Sequence, residues 1–136
     1  MDFLKSIAIA ASGLRAQAGR MRVISENLAN ADTAASSAGV EPYRRRIATF
    51  KSEVDRALDA QVVSLGRVTA DPSEFRLKNE PGHPAADQNG NVKYPNVNAL
   101  VEMTDLREAQ RSYEANINVI TASRRMIQRT LEILKS

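Results

Sequence analysis

The single histidine of the chain, His83, stands in the run Glu80-Pro81-Gly82-His83-Pro84-Ala85-Ala86-Asp87, four residues before a carboxylate. An imidazole beside an aspartate could shuttle a proton or supply half of a metal site. A zinc site draws three or four ligands from the protein. One histidine without any cysteine cannot assemble the usual set. Pro81 and Pro84 stiffen the backbone on both sides, so this segment reads as a surface turn.

The second chemical candidate is Tyr43-Arg44-Arg45-Arg46, with Lys51 close behind. Arginines flanked by an aromatic ring can hold phosphates and stack on bases. Glu41, Glu53 and Asp55 bracket this cluster, however, and the whole chain carries a net charge of +3 with a pI near 9.5. That excess is small for a dedicated nucleic-acid binder. The cluster reads as a solvated strand edge or a patch of interface salt bridges, and Arg124-Arg125 as a solvated helix face. No nucleic-acid partner is expected. The sequence holds no G-x-S-x-G, G-x-x-x-x-G-K-[ST], G-x-G-x-x-G or H-E-x-x-H. Its scattered carboxylates form no catalytic pair, and catalysis needs several groups converging in one pocket. The expectation is a non-enzymatic protein without cofactor or metal.

The elements around these residues explain more. The chain has 136 residues, 43% hydrophobic and 26% charged, with few aromatics and no tryptophan. Such a composition suits a folded chain whose apolar residues pack helices. Three parts are expected within one structural unit: residues 1–33, 34–97 and 98–136. In the first, Leu4, Ile7, Ala11, Leu14, Ala18, Met21, Ser25 and Leu28 alternate steps of three and four, and all but Ser25 are apolar. That is the heptad seam of a helix packed along one stripe. Asn30, Asp32 and Thr33 supply its stop. Gly13 and Gly19 each cost about 1 kcal/mol inside a helix, so a neighbouring backbone is expected to approach there.

The third part repeats the pattern over a longer span. Met103, Leu106, Gln110, Tyr113, Ile117, Ile120, Arg124, Ile127, Leu131 and Leu134 again alternate three and four, and all but Gln110 and Arg124 are apolar. Asn98 or Thr104 can cap the helix. Glu102, Asp105 and Glu108 lie early in it and Arg124, Arg125, Arg129 and Lys135 late, which complements the helix dipole. A helix over about Asn98–Leu134 would run roughly 55 Å, against about 37 Å for the diameter of a compact domain of this size. The fold class predicted is mainly α and elongated. Two long terminal helices pack as a coiled-coil-like pair around a small middle of loops and short strands. Strands are predicted near Tyr43–Phe50, Gln61–Thr69 and Asn91–Tyr94, and a tight turn at Asn89-Gly90.

No stretch approaches the ~18 apolar residues of a membrane span. Ile7–Ala11 is shorter than the roughly seven apolar residues a secretory signal requires, so neither membrane insertion nor a cleaved signal is expected. A membrane-surface helix over residues 1–30 would have a thin basic face.

Ala11–Thr33, ASGLRAQAGRMRVISENLANADT, resembles the N-terminal motif shared by flagellar rod, hook and hook–filament junction proteins. Ser12, Gly13, Leu14, Ala16, Gln17, Asn27, Leu28, Ala29, Asn30, Ala31 and Thr33 carry the likeness. Met103–Leu134 is similar to the C-terminal helix of the same axial family through Ala109, Arg111, Tyr113, Glu114, Ala115 and Asn116. Asp71–Asn98 is similar to the matching segment of its proximal rod members. The resemblance implies a structural subunit of the basal-body rod in the periplasm, exported by the flagellar type III apparatus without a cleaved signal. It also implies assembly with itself, with other proximal and distal rod subunits, and with the adaptor to the MS ring. The subunit-interface residues would be Leu4, Ile7, Leu14, Met21, Leu28, Met103, Leu106, Tyr113, Ile117, Ile120, Ile127, Leu131 and Leu134. The rival expectation is a monomeric coiled-coil adaptor that uses the same stripes to hold one partner helix.

Overall fold

A computed structural model describes residues 2–136. Helix α1 spans Phe3–Ala29. Its first turn is capped by Asp2, whose Oδ1 accepts from the Lys5 amide at 3.0 Å, a side-chain answer to a donor that has no partner within the helix. At its far end Asn30 Nδ2 donates to the Glu26 carbonyl at 2.9 Å, and Thr33 Oγ1 donates to Asn30 Oδ1. The predicted stop is made by those side chains.

Six short strands follow: β1 (Arg46–Ile47), β2 (Phe50–Asp55), β3 (Ala60–Leu65), β4 (Thr69–Ala70), β5 (Arg76–Asn79) and β6 (Asn91–Tyr94). They pair antiparallel as β1 with β4, β2 with β3 and β5 with β6. Helix α2 then runs Ala99–Lys135, 37 residues. Asn98 is its cap, its Oδ1 accepting from the amides of Leu100 and Val101.

The chain falls into two compact units, each drawing on several segments. The first holds residues 1–21, 49–67 and 107–136. In it the β2–β3 hairpin lies on α1: the Val63 amide donates to Ser12 Oγ at 3.3 Å, and Lys5 Nζ donates to the carbonyl of Asp59 in the hairpin loop. Arg20 in α1 meets Glu108 in α2 at 3.6 Å, so the helices run antiparallel there, with Gly13 against Asn116 further along. A Cβ at Gly13 would stand 2.8 Å from Asn116 Nδ2, and one at Gly19 would stand 2.8 Å from Leu65 Cδ2. The expected close approach exists, but side chains make it rather than a neighbouring backbone.

The second unit holds residues 22–48 and 68–106. Its core is Ala35, Ala85, Val92 and Tyr94, with Ala34 and Ala86 alongside. Val92 and Val97 are also fully buried, each contributing about 1.5–3 kcal/mol by leaving water. The β5–β6 pair closes over this core in the register Arg76↔Tyr94 to Asn79↔Asn91. The turn between them contains the predicted tight bend: Gly90 has φ +79, a left-handed conformation open to glycine at no steric cost. His83 sits in the same stretch, its Nδ1 accepting from the Ala85 amide at 3.0 Å.

The strands differ from expectation in three places. Gln61–Thr69 is broken after Leu65, with Thr69 belonging to β4 and a different partner. Of Tyr43–Phe50 only Arg46–Ile47 and Phe50, the first residue of β2, are strand. Arg46–Ile47 pairs with β4 on one edge; on the other the Arg46 amide donates to Asn27 Oδ1, and the Arg45 amide, ahead of the strand, donates to Asn96 Oδ1, so side-chain acceptors stand where further strand pairing would. Strands β2 and β5, in polar and turn-rich sequence, were not predicted. β2 is held by pairing with β3, and β5 by pairing with β6, whose Val92 and Tyr94 are buried.

Candidate assembly interface

The second unit is fastened around a buried carboxylate. Glu102, in the first turn of α2, has no exposed surface. An isolated charge there would be costly, and its partners are correspondingly close. Arg45 Nε donates to Glu102 Oε1, and Asn27 Nδ2 donates to Oε2 at 3.3 Å. The same guanidinium reaches Asp71 Oδ2 at 3.2 Å and Asp105 Oδ2 at 3.6 Å. Burial acts to lower the pKa of Arg45, but its hydrogen bond and ion pair with Glu102, with Asp71 adding, raise it overall. Arg45 is charged at every relevant pH.

Asn27 completes this node. Its Oδ1 accepts from Tyr43 Oη at 2.7 Å and from the Arg46 amide at 3.0 Å, while Nδ2 also donates to the Arg46 carbonyl at 2.8 Å. Desolvation raises the Tyr43 pKa, with Arg46 opposing and Glu26 and Glu102 adding to the rise, so its phenol stays protonated as a donor. Arg44 stacks 4.2 Å from the centroid of Phe75 and donates to the carbonyls of Asp71 and Ser73. The Tyr43–Arg46 cluster, expected to be a solvated edge or an interface patch, is thus largely engaged within the chain; Arg46 alone remains well exposed, 3.6 Å from Glu26.

Several residues of the N-terminal motif make contacts within the chain. Ser12 accepts from β3 and donates to the Ile9 carbonyl. Gly13 admits Asn116, whose Nδ2 donates to the Ser112 carbonyl. The Ala31 carbonyl accepts from Arg76 at 2.7 Å. Asn30 ends α1, and Asn27 is the hub already described. Gln17 leaves its Oε1 buried without a partner. On α2, Tyr113 and Asn116 are half-buried and Ala115 is exposed.

The apolar seam residues divide by exposure. Ile7, Leu14, Met21 and Leu28 on α1, and Leu106, Tyr113, Ile120 and Ile127 on α2, are half-buried. Leu4, Met103, Ile117, Leu131 and Leu134 are exposed, from 40% for Ile117 to 76% for Leu134. Leu4, Ile7 and Ile127 come together with Arg124 and Gln128 around an open groove of about 270 Å³. The buried positions are others: Ala10, Ser12, Ala16, Val23, Ile24 and Asn27 on α1, and Glu102, Ala109 and Ser123 on α2. On α2 these stand at heptad spacing with the half-buried Asn116, each one residue before Met103, Gln110, Ile117 or Arg124. Leu100, Val101 and Met103 in the second unit, and Ile117, Val119, Met126, Leu131, Ile133 and Leu134 in the first, are large apolar side chains open to water. Among the described residues no group of acidic or histidine side chains could hold a metal ion, and no helix is long and apolar enough to cross a membrane.

Comparison with known proteins places this architecture in a class. Residues 7–34 match the family model described as flagella basal body rod protein, and residues 88–133 match that of the flagellar basal body rod FlgEFG protein C-terminal. Along its full length the chain is 46% identical to flagellar basal-body rod protein FlgC of Agrobacterium fabrum, covering 100% of this chain and 99% of the relative. It is 38% identical to FlgC of Bacillus subtilis over 99% and 100%, and 38% identical to FlgC of Salmonella typhimurium over 98% of each. The chain belongs to the FlgC family of flagellar basal-body rod proteins.

Proposed function

We propose that the chain works as a structural subunit of the proximal rod, joining its neighbours through the exposed apolar faces of its terminal helices. The observation that carries this reading is the set of uncovered residues on α2: Ile117, Leu131 and Leu134 repeat in helical steps and remain open to water. Side chains of that size each gain about 1.5–3 kcal/mol when fully buried. A second chain laid along the helix gathers that gain, and the two stripes then pack in the coiled-coil manner predicted from their spacing.

In this reading the parts 1–33 and 98–136 are axial and 34–97 decorates them. Subunits related by a repeating operator build a hollow shaft. The shaft transmits torque and forms the wall of the passage used by later subunits. The neighbours are other rod proteins, with the adaptor to the MS ring at the inner end. The protein crosses the inner membrane through the flagellar type III apparatus and works in the periplasm. The small side chains of α1 and its two glycines support this, since a weakly self-supporting helix is easily unfolded for export.

The test is genetic and biochemical together. Ile117→Asp or Leu131→Asp abolishes incorporation into isolated basal bodies and abolishes swimming, while the mutant protein is still exported. Normal swimming by either strain overturns the assembly role of these positions.

A further inference from the structure

Among the described residues, strand β2 pairs only with β3 and has one edge without a strand beside it. The Gly66 amide donates to the Thr49 carbonyl, and the ladder continues from Phe50↔Leu65 to Asp55↔Ala60. In an antiparallel pair the amides alternate inward and outward, so Lys51, Glu53 and Asp55 face β3 with their backbone groups. Phe50, Ser52 and Val54 aim theirs outward. The opposite edge of the hairpin is not free: the Val63 amide is taken by Ser12 Oγ. Along β2, Phe50 is 43% and Val54 61% exposed.

The side chains of this edge are complementary to themselves. Set β2 antiparallel against a second β2 with Ser52 opposite Ser52. The outward N–H groups of Phe50, Ser52 and Val54 then donate to the outward carbonyls of the opposite residues and the reverse, Phe50 lies opposite Val54 twice, and Lys51 lies opposite Glu53 twice. Sliding by one step of the ladder puts Lys51 against Lys51, or Glu53 against Glu53, and one step further in the latter direction puts Glu53 against Asp55. Like charges directly opposite are destabilising, and opposite charges and apolar pairs stabilise. Among the registers that pair at least about three β2 residues of each copy, only the first sets no like charges opposite each other.

We propose that two copies of the unassembled chain pair edge to edge through β2 in this register. The two hairpins merge into a four-stranded sheet, and an exposed edge of the kind that invites indiscriminate pairing becomes a specific one. The contact is isologous, related by a two-fold axis, so it closes at a dimer and cannot propagate along a shaft of repeating subunits. It belongs to the free protein and is independent of the helical faces assigned to assembly.

The chain contains no cysteine, so Ser52→Cys introduces a single thiol whose Cα meets its own copy at about 5.5 Å in a hydrogen-bonded pair, within disulfide range. Full-length Ser52→Cys and, as a collision control, Ser36→Cys, exposed in the second unit, are oxidised with diamide at about 0.1 mM, a concentration suited to a small interface. Ser52→Cys forms disulfide-linked dimer at least about tenfold faster than the control. Adding Lys51→Glu removes about tenfold or more of that rate, and Lys51→Glu with Glu53→Lys, which restores complementarity with the signs exchanged, restores it. Circular dichroism checks that each variant is folded. Val54→Pro deletes an outward amide while leaving the bonds to β3, and abolishes the wild-type dimer seen by sedimentation. Equal cross-linking by both cysteines, no loss with Lys51→Glu, no rescue by the exchange, or a dimer that survives Val54→Pro each overturns the proposal.

Discussion

The guanidinium of Arg45 donates to the carboxylate of Glu102 across 57 positions of sequence, and Glu102 is fully buried. Asp71 and Asp105 share the same cation. One cation among three carboxylates makes Arg45 the group whose removal is least tolerable: it would leave Glu102 charged, dry and held by Asn27 alone. Breaking one side of such a pair costs about 3–5 kcal/mol, whereas replacing both sides with apolar groups of similar volume can be nearly neutral.

Arg45→Met and Glu102→Leu should therefore each lower the unfolding free energy of the full chain by about 3–5 kcal/mol. The double variant should lie well above the sum of the two losses. Urea titration followed by circular dichroism gives all three values. Strict additivity would show that the pair is not coupled.

A second prediction concerns acid. Asp71 is held below its ordinary pKa of 3.8 first by the Ser73 amide, which donates to its Oδ1 at 2.9 Å, then by the Ser73 side chain, with Arg45 adding. A carboxylate whose folded pKa is depressed stabilises the fold at pH above its unfolded value. That stability is lost as pH falls from about 3.8 through the lower folded value. Asp71→Asn should flatten the pH dependence of stability in that window and lower stability at pH 7, read from urea midpoints between pH 2.5 and 7. An unchanged acid profile would remove Asp71 from the account.

These contacts show what the sequence could and could not reveal. Helix α2 was legible because its apolar residues repeat at three and four and its ends carry a cap and the right charges. Its tightest internal contacts were not. Ala109 and Ser123 are sealed because they are small, and a hydrophobic stripe drawn through Met103, Ile117 and Leu131 passes one residue to the side of them. Glu102 was read as a charge favourable to the helix dipole, since nothing local marks a carboxylate whose cation lies 57 residues away. Asn27 was recognised through family likeness, but its bonds to Tyr43, Arg46 and Glu102 follow from tertiary structure alone. Strand β2 escaped because its pattern is polar at one edge and its pairing is supplied by β3.

Gly13 offers a packing test. Alanine is preferred to glycine in a helix interior by about 1 kcal/mol, yet a Cβ there would crowd Asn116 at 2.8 Å. Gly13→Ala alone should gain little or lose stability, because Asn116 must give up its place and its bond to Ser112. In an Asn116→Ala background the same change should stabilise by about 1 kcal/mol. Thermal melts of the four proteins complete the cycle. If Gly13→Ala stabilises equally in both backgrounds, the side chain of Asn116 does not set the spacing.

The final prediction separates the residues that hold the fold from those free to meet another chain. Ile120 is half-buried, whereas Leu131 is 53% exposed. Placing a carboxylate at Ile120 forces a charge partly out of water and removes apolar contact, a change in the range of about 1–3 kcal/mol. At Leu131 the new charge remains solvated, and exposed substitutions stay within about 0.5 kcal/mol. Ile120→Asp should therefore lower the melting temperature of the purified chain by several degrees, about 3–5 °C per kcal/mol for a chain of this size. Leu131→Asp should leave it nearly unchanged and still be lost from the rod. A Leu131→Asp protein that melts as early as Ile120→Asp would mean that this surface already serves the isolated fold, and the loss of assembly could then be traced to unfolding.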